Sequence, residues 1–227
     1  MSYVPPLDES KSRPRLPRPL DPVEIRILGS LMEKQLSTPE YYPLTLNALV
    51  AATNQKSNRE PVMELTEAEV ERALNRLQDE KLVWRVMGGR AVRFDHNLDA
   101  LWHINRSEKA LLTLLFLRGE QTPGELRGRS DRLHSFDSVA NVEQTLRDMA
   151  AQHEPLVRVL TRRPGQKEER WAHLAGGAVT DEAPPGPAAP HHQTSGGEPL
   201  SVRVQRLEDA VAALTEELRA LKTKLGE

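Results

Sequence analysis

The sequence predicts a mainly α, α+β protein: a duplicated helical unit with small β-hairpins, followed by a heptad helix. Three observations carry this. Capping residues open apolar helical stripes at Asp21, Thr45 and Thr66, and again at Ser107, Thr122 and Ser138. After each group of helices come two strand-like runs joined by a Gly-containing turn. Near the C-terminus, Val204, Leu207, Val211, Leu214, Leu218, Leu221 and Leu225 recur in alternating short steps.

Residues 1–20 read as a disordered arm. Pro5, Pro6, Pro14, Pro17 and Pro19 block helix, and Lys11, Arg13, Arg15 and Arg18 make its second half basic. Order is expected from Asp21. Asp21-Pro22-Val23-Glu24 supplies a capping acid, a proline at the first helical position and a Glu at the third. Val23, Ile27, Leu28, Leu31 and Met32 form the stripe behind it. Pro39 and Pro43 bracket a short extended break, and Thr45 caps a helix bearing Leu46, Leu49 and Val50. A polar loop, Thr53 to Pro61, leads to the Thr66–Glu69 capping box and the face Val70, Ala73, Leu74 and Leu77. Leu82–Met87 and Arg90–Asp95 then flank Gly88-Gly89, where glycine takes a positive φ without strain. That register sets Trp84 across from Arg93, as a cation–π pair.

The order then recurs. Ser107 caps a helix with Ala110, Leu111, Leu114, Leu115 and Leu117. Thr122-Pro123-Gly124-Glu125 is another capping box, and Ser138 opens a helix with Val139, Val142, Leu146 and Met149. Strands are expected at Leu156–Arg162 and Glu168–Leu174. Cap-to-cap alignment gives a repeat of roughly 75 residues. The boundaries are 21–98 for the first domain and 99–174 for the second. Residues 175–200, rich in Gly and Pro, are a flexible linker, and the His191-His192 pair in it lacks the partners of a closed metal site. Residues 201–227 form the heptad helix. Arg203 with Glu208, and Glu217 with Lys222, have the offset of pairs that cross between parallel helices, so a coiled-coil homodimer is expected; the alternative is one amphipathic helix packed on its own domain.

Composition bounds the function. In 227 residues, 31 Lys and Arg nearly cancel 33 Asp and Glu, so any basic surface is local. The absence of Cys removes disulfides, thiolate zinc sites and a Cys nucleophile. No apolar run is long enough to span a bilayer, which points to a cytoplasmic protein without a membrane partner. There is no phosphate-binding Gly loop, no His-Glu-x-x-His helix and no serine elbow, so no catalytic residue, metal or cofactor is expected. Asp95-His96 is not read as an acid–base pair, because adjacent strand residues face opposite ways.

Thr38-Pro39-Glu40-Tyr41-Tyr42-Pro43-Leu44-Thr45-Leu46-Asn47-Ala48-Leu49, followed by Asn54-Gln55-Lys56-Ser57-Asn58-Arg59-Glu60-Pro61-Val62-Met63, resembles the YceH family of bacterial proteins over roughly residues 20–174. The resemblance implies two tandem winged-helix domains plus a C-terminal coiled-coil helix, and supplies no catalytic residue. Thr53 stands where the family is expected to have Cys.

A winged-helix architecture implies duplex DNA, with the second helix of each helix-turn-helix in the major groove and the hairpin wing on phosphates. The third helix of the first unit carries Glu67, Glu69 and Glu71 at its start, against only Arg72 and Arg76; its wing offers Arg85, Arg90 and Arg93. The second unit is more basic, with Arg127, Arg129 and Arg132 before its third helix and Arg158, Arg162, Arg163, Lys167 and Arg170 on its wing. With aromatic residues at 4%, a base-stacking platform is not expected. The competing expectation is a protein-docking scaffold that makes no DNA contact.

Overall fold

Why the chain turns where it does is clearest at its first helix. In the computed structural model, α1 (Pro22–Ser37) starts where Asp21 accepts the Glu24 N–H at 2.9 Å and the Glu24 carboxylate accepts the Asp21 N–H at 2.9 Å. The structure describes residues 16, 18–88, 91–162, 166 and 168–177. These lie in the first of the chain's two units, Met1–Asp181; the second, Glu182–Glu227, is outside the described residues. Also outside them are most of the basic arm, Gly89, Arg90, Arg163 and Lys167, the linker beyond Gly177, and the heptad segment with its dimer assignment.

After α1 come a 3-10 turn (Pro39–Tyr41), β1 (Leu44–Thr45) and α2 (Leu46–Thr53), capped by Thr45 on the Ala48 N–H at 3.3 Å. α3 (Glu67–Asp79) opens with the Thr66–Glu69 box and buries Val70, Ala73, Leu74 and Leu77. β2 (Val83–Gly88) and β3 (Ala91–His96) form the hairpin, and β1 adds to β3 in a sheet of order β1-β3-β2.

The hairpin register corrects the sequence reading. Gly88 pairs with Ala91, so the turn is one residue later than Gly88-Gly89, and Trp84 faces Asp95. The open end fixes this: the Asn97 N–H donates to Leu82 O at 2.9 Å and its side chain to Lys81 O at 3.1 Å. Arg93 donates to Pro43 O at 2.7 Å instead of facing Trp84, and Arg85 sits over Phe94 at 6.0 Å.

The second half begins with a helix the sequence did not reveal, α4 (Leu98–Trp102), a single turn that buries Leu98 and Trp102. α5 (Arg106–Arg118) is capped by Asn105, not Ser107. Asn105 has the extended backbone a cap needs and shares a box with Glu108, while the Ser107 hydroxyl donates to the Asn105 side chain at 2.6 Å. α6 (Pro123–Ser130) and α7 (Val139–Ala150) use Thr122 and Ser138 as expected. β4 (Val157–Leu160) and β5 (Arg170–His173) are shorter than the runs read from sequence. Gln121 bridges to Trp171 by two backbone hydrogen bonds of 3.1 and 2.8 Å, the place on this sheet that β1 takes on the first.

The described residues are thus a mixed α+β, winged-helix-like body with seven α-helices and two small antiparallel sheets. One apolar cluster runs from Leu20 to Ala175 through both halves. α1 and α5 form its middle. Ile27, Leu28 and Leu31 are fully buried, as are Leu111 and Leu115, each contributing about 1.5–3 kcal/mol. Gly29 lets the helices touch: a Cβ there would lie 2.9 Å from Leu117 Cδ2 and 3.0 Å from Phe116 Cβ. Packing begins before Asp21, since Leu20 is buried and its N–H donates to Ala175 O at 2.8 Å. That hydrogen bond ties together the outer ends assigned from sequence to arm and linker.

Candidate nucleic-acid interface

The polar loop between α2 and α3 is anchored by charged side chains. Arg59 is buried. Its guanidinium meets Glu33 in a fork, Nη1 to Oε1 at 3.1 Å and Nη2 to Oε2 at 2.6 Å, and also donates to Ala52 O. Arg26, also buried, donates to Thr53 O at 3.3 Å and Pro61 O at 2.6 Å. Burial, with Arg59 nearby, holds the Arg26 guanidinium down at about 10. The Asn54 side chain closes the loop by accepting the Leu65 N–H and donating to Leu65 O, both at 2.8 Å. The polar residues that make the motif distinctive therefore set where α3 begins.

On α3, Glu67, Glu71 and Arg72 are exposed. Arg76 is turned away to Glu24 at 2.7 Å and Asp21 at 2.5 Å. Burial opposes the Glu24 carboxylate, yet its bonds to Arg18, the Asp21 N–H and Arg76 outweigh this and hold it at about 2. Arg18 also reaches Glu80 at 2.7 Å, so this end of the basic arm is spent on the protein itself. The exposed start of α3 stays acidic. Its hairpin presents apolar side chains on both faces: Trp84, 45% exposed, with Val86 on one, and Met87, 78% exposed, with Val92 on the other. Arg85 donates to Asn75 at 2.8 Å.

In the second half the basic residues divide. Arg127 pairs with Asp131 at 2.9 Å. Arg129 donates to Gln121 at 2.7 Å and lies 3.6 Å from Glu125. Arg170 is held by Glu120 O at 2.6 Å and Glu125 at 3.1 Å. Arg158 is half-buried and engaged. Arg132 is exposed, and Arg162 is exposed with a loose contact to Glu169 at 3.5 Å. α7 differs from α3. Its outer face carries Val139, Ala140, Asn141, Gln144 and Arg147, and its start has no carboxylate. The structure brings together Arg127, Arg129, Arg132 and Arg170 around α6 and β5, with Arg162 beyond the end of β4; it does not join them to Arg85 and Arg93, which serve the first sheet.

His96 is buried and His173 half-buried with its Nδ1 enclosed. His96 sits 3.0 Å from Gln35 Oε1, and burial lowers it to about 4; His173, against Phe116, is lowered to about 4 by burial. Tyr42 donates to Asp95 at 2.6 Å and accepts the His96 N–H at 2.9 Å, so Asp95 and His96 both help seat β3. Among the described residues no helix is long and apolar enough to cross a membrane, and no three His, Asp or Glu side chains gather as metal ligands.

Fold and surface together define a winged-helix-like protein with internally braced arginines and two chemically unlike halves. Residues 20–166 match the family model described as "Protein of unknown function, DUF480", and the chain belongs to that family. It is 48% identical to a UPF0502 protein of Opitutus terrae over 199 residues, covering 86% of this chain and 83% of the relative. It is 43% identical to a UPF0502 protein of Acidovorax sp. over 214 residues, covering 92% and 95%. A UPF0502 protein of Geobacter metallireducens is 46% identical over 200 residues, covering 88% of each.

Proposed function

We propose that this chain is a non-enzymatic, DNA-binding, regulator-like protein of YceH type, with two tandem winged-helix domains and a C-terminal coiled coil that pairs two copies. The observation that carries the reading is the repeated order of helix, extended segment, two helices and hairpin. In both halves the segment after the first helix pairs with the last strand, through β1 on β3 and Gln121 on Trp171. The second half is the better reader of a duplex. α7 offers Asn141 and Gln144, types that bond base edges, where α3 offers Glu67 and Glu71. Arg132 and Arg162 are left to meet phosphates.

Fluorescence anisotropy of a labelled duplex at two salt concentrations tests this. Replacing Arg162, Arg163 and Lys167 with Ala should weaken binding to all sequences alike and flatten the salt slope by up to about three contacts. Removing residues 201–227 should weaken it further through lost avidity. No duplex binding at low salt would refute the reading. The exposed Trp84, Val86, Met87 and Val92 favour a second one, a scaffold that docks a protein through the first hairpin.

A further inference from the structure

A cleft of about 370 Å³ lies between the loop after α2 and the start of the second half. One wall is Lys34, Gln55, Lys56, Ser57 and Asn58; the other is Arg129 and Arg132, with Leu114 and Leu133 as apolar lining. We infer that this cleft binds a small phosphomonoester with an apolar body. This goes beyond the DNA reading and stands without it.

The charge balance of the lining is one-sided. The lining holds Lys34, Lys56, Arg129 and Arg132 against one carboxylate, Glu33, whose two oxygens are taken by the buried Arg59 fork; Arg129 is turned to Gln121 and Glu125, which leaves Lys56 and Arg132 as the uncommitted cations. Lys34 is partly engaged, 3.5 Å from Glu33 and donating to Gln55 at 3.4 Å. Lys56 and Arg132 are exposed and have no carboxylate partner among the described residues. Converging cations repel one another unless an anion lies between them, and a phosphomonoester brings close to two charges at neutral pH where a carboxylate brings one. Arginine matches phosphate oxygens in a planar fork, and lysine adds a mobile point charge.

The wall is also held in place before any ligand arrives. Arg59 is fixed to Ala52 O at 2.9 Å and to Gln55 at 3.2 Å; the Glu60 N–H donates to Leu117 O at 2.8 Å. Asn58 turns the chain in the left-handed region at φ 58°, which Asn adopts more readily than other non-glycine residues. Leu114 and Leu133 give an apolar body a place to rest, and the volume falls in the range of small-molecule sites. Because α1 and the loop supply one wall and α6 and its C-terminal extension the other, a ligand here would bridge the two halves.

Isothermal titration calorimetry on the full chain tests this, with phenyl phosphate, inorganic phosphate and a short DNA duplex as three separate probes. Phenyl phosphate should bind saturably at one per chain, and inorganic phosphate more weakly because it lacks the apolar body. Lys56→Glu with Arg132→Glu should lower phenyl phosphate affinity at least ~10-fold. The milder Lys56→Gln with Arg132→Gln pair should lower it less, and Arg106→Glu, outside the cleft, should leave it unchanged. Thermal unfolding checks that each variant is folded. No saturable binding up to ~10 mM phenyl phosphate, equal loss in Arg106→Glu, or cleft-dependent binding of the duplex alone would each overturn the inference.

Discussion

Replacing Gly29 with Ala tests whether α1 and α5 touch as closely as described. In a helix interior Ala is favoured over Gly by about 0.8–1 kcal/mol, so the bare expectation is a more stable protein. Here the new methyl meets Leu117 Cδ2 at 2.9 Å, Phe116 Cβ at 3.0 Å and Leu117 Cγ at 3.1 Å. The Leu117 methyl can rotate away. Phe116 Cβ is attached to the backbone of α5 and moves only if the helix moves. Overpacking of this kind costs about 1–3 kcal/mol, so after the propensity gain the net effect should be a loss of about 0–2 kcal/mol, with about 1 kcal/mol at the centre. At about 2–4 °C per kcal/mol for a body of this size, Gly29→Ala should melt about 2–4 °C lower. Gly128→Ala is the matched control. It lies within α6, where a Cβ has nothing within 4 Å, and should raise the melting temperature by the helix-propensity gain alone. Thermal unfolding followed by circular dichroism reads both. If Gly29→Ala stabilises as much as Gly128→Ala, the close crossing of α1 and α5 is wrong.

Acid should destabilise the fold in two steps. His96 and His173 are held near 4 against an ordinary value of 6.5, so the unfolded chain binds protons first, and stability present above pH 6.5 falls as pH drops toward 4 by up to about 3 kcal/mol each. Glu24, held at about 2, adds a second loss between its ordinary value near 4.5 and pH 2; urea midpoints measured across pH 3–8 should show both, and a flat profile above pH 4 would refute the histidine assignment. Glu33→Gln leaves Arg59 buried beside a neutral partner and should cost about 3–5 kcal/mol, read as a lower urea midpoint with unchanged slope. Leu214→Asp should turn a dimer into a monomer in sedimentation, since it puts an unpaired charge in the heptad seam; a wild-type monomer would remove the coiled coil from the reading.

Local chemistry was legible in the sequence. Asp21, Thr45, Thr66, Thr122 and Ser138 all cap the helices assigned to them, because a cap is decided within four residues. Asn105 and Glu108 have the same capping-box spacing, and the cap of α5 lies two residues before the Ser107 expected from sequence. α4 is one turn, too short to show a period. The arginines were the hardest to place. Arg127 with Asp131 and Arg129 with Glu125 are one helical turn apart and could have been paired on sight. Arg76 with Glu24, Arg59 with Glu33 and Arg170 with Glu120 O join distant segments, and nothing local announces them.

The crossing of α1 and α5 also has a consequence for how the chain is made. α1 ends at Ser37 and α5 begins at Arg106, so the helix that covers Leu28 and Leu31 is synthesised long after them. At about 5–20 residues per second, the nascent chain waits several seconds to more than ten before α5 exists. During that interval the first half has its caps, its hairpin and the α2–α3 loop, but an oily seam on α1 stays open. The first half therefore finishes folding only once the second has emerged from the ribosome. A stalled or truncated product ending near Asn97 would expose that seam and be a natural substrate for chaperones and proteases.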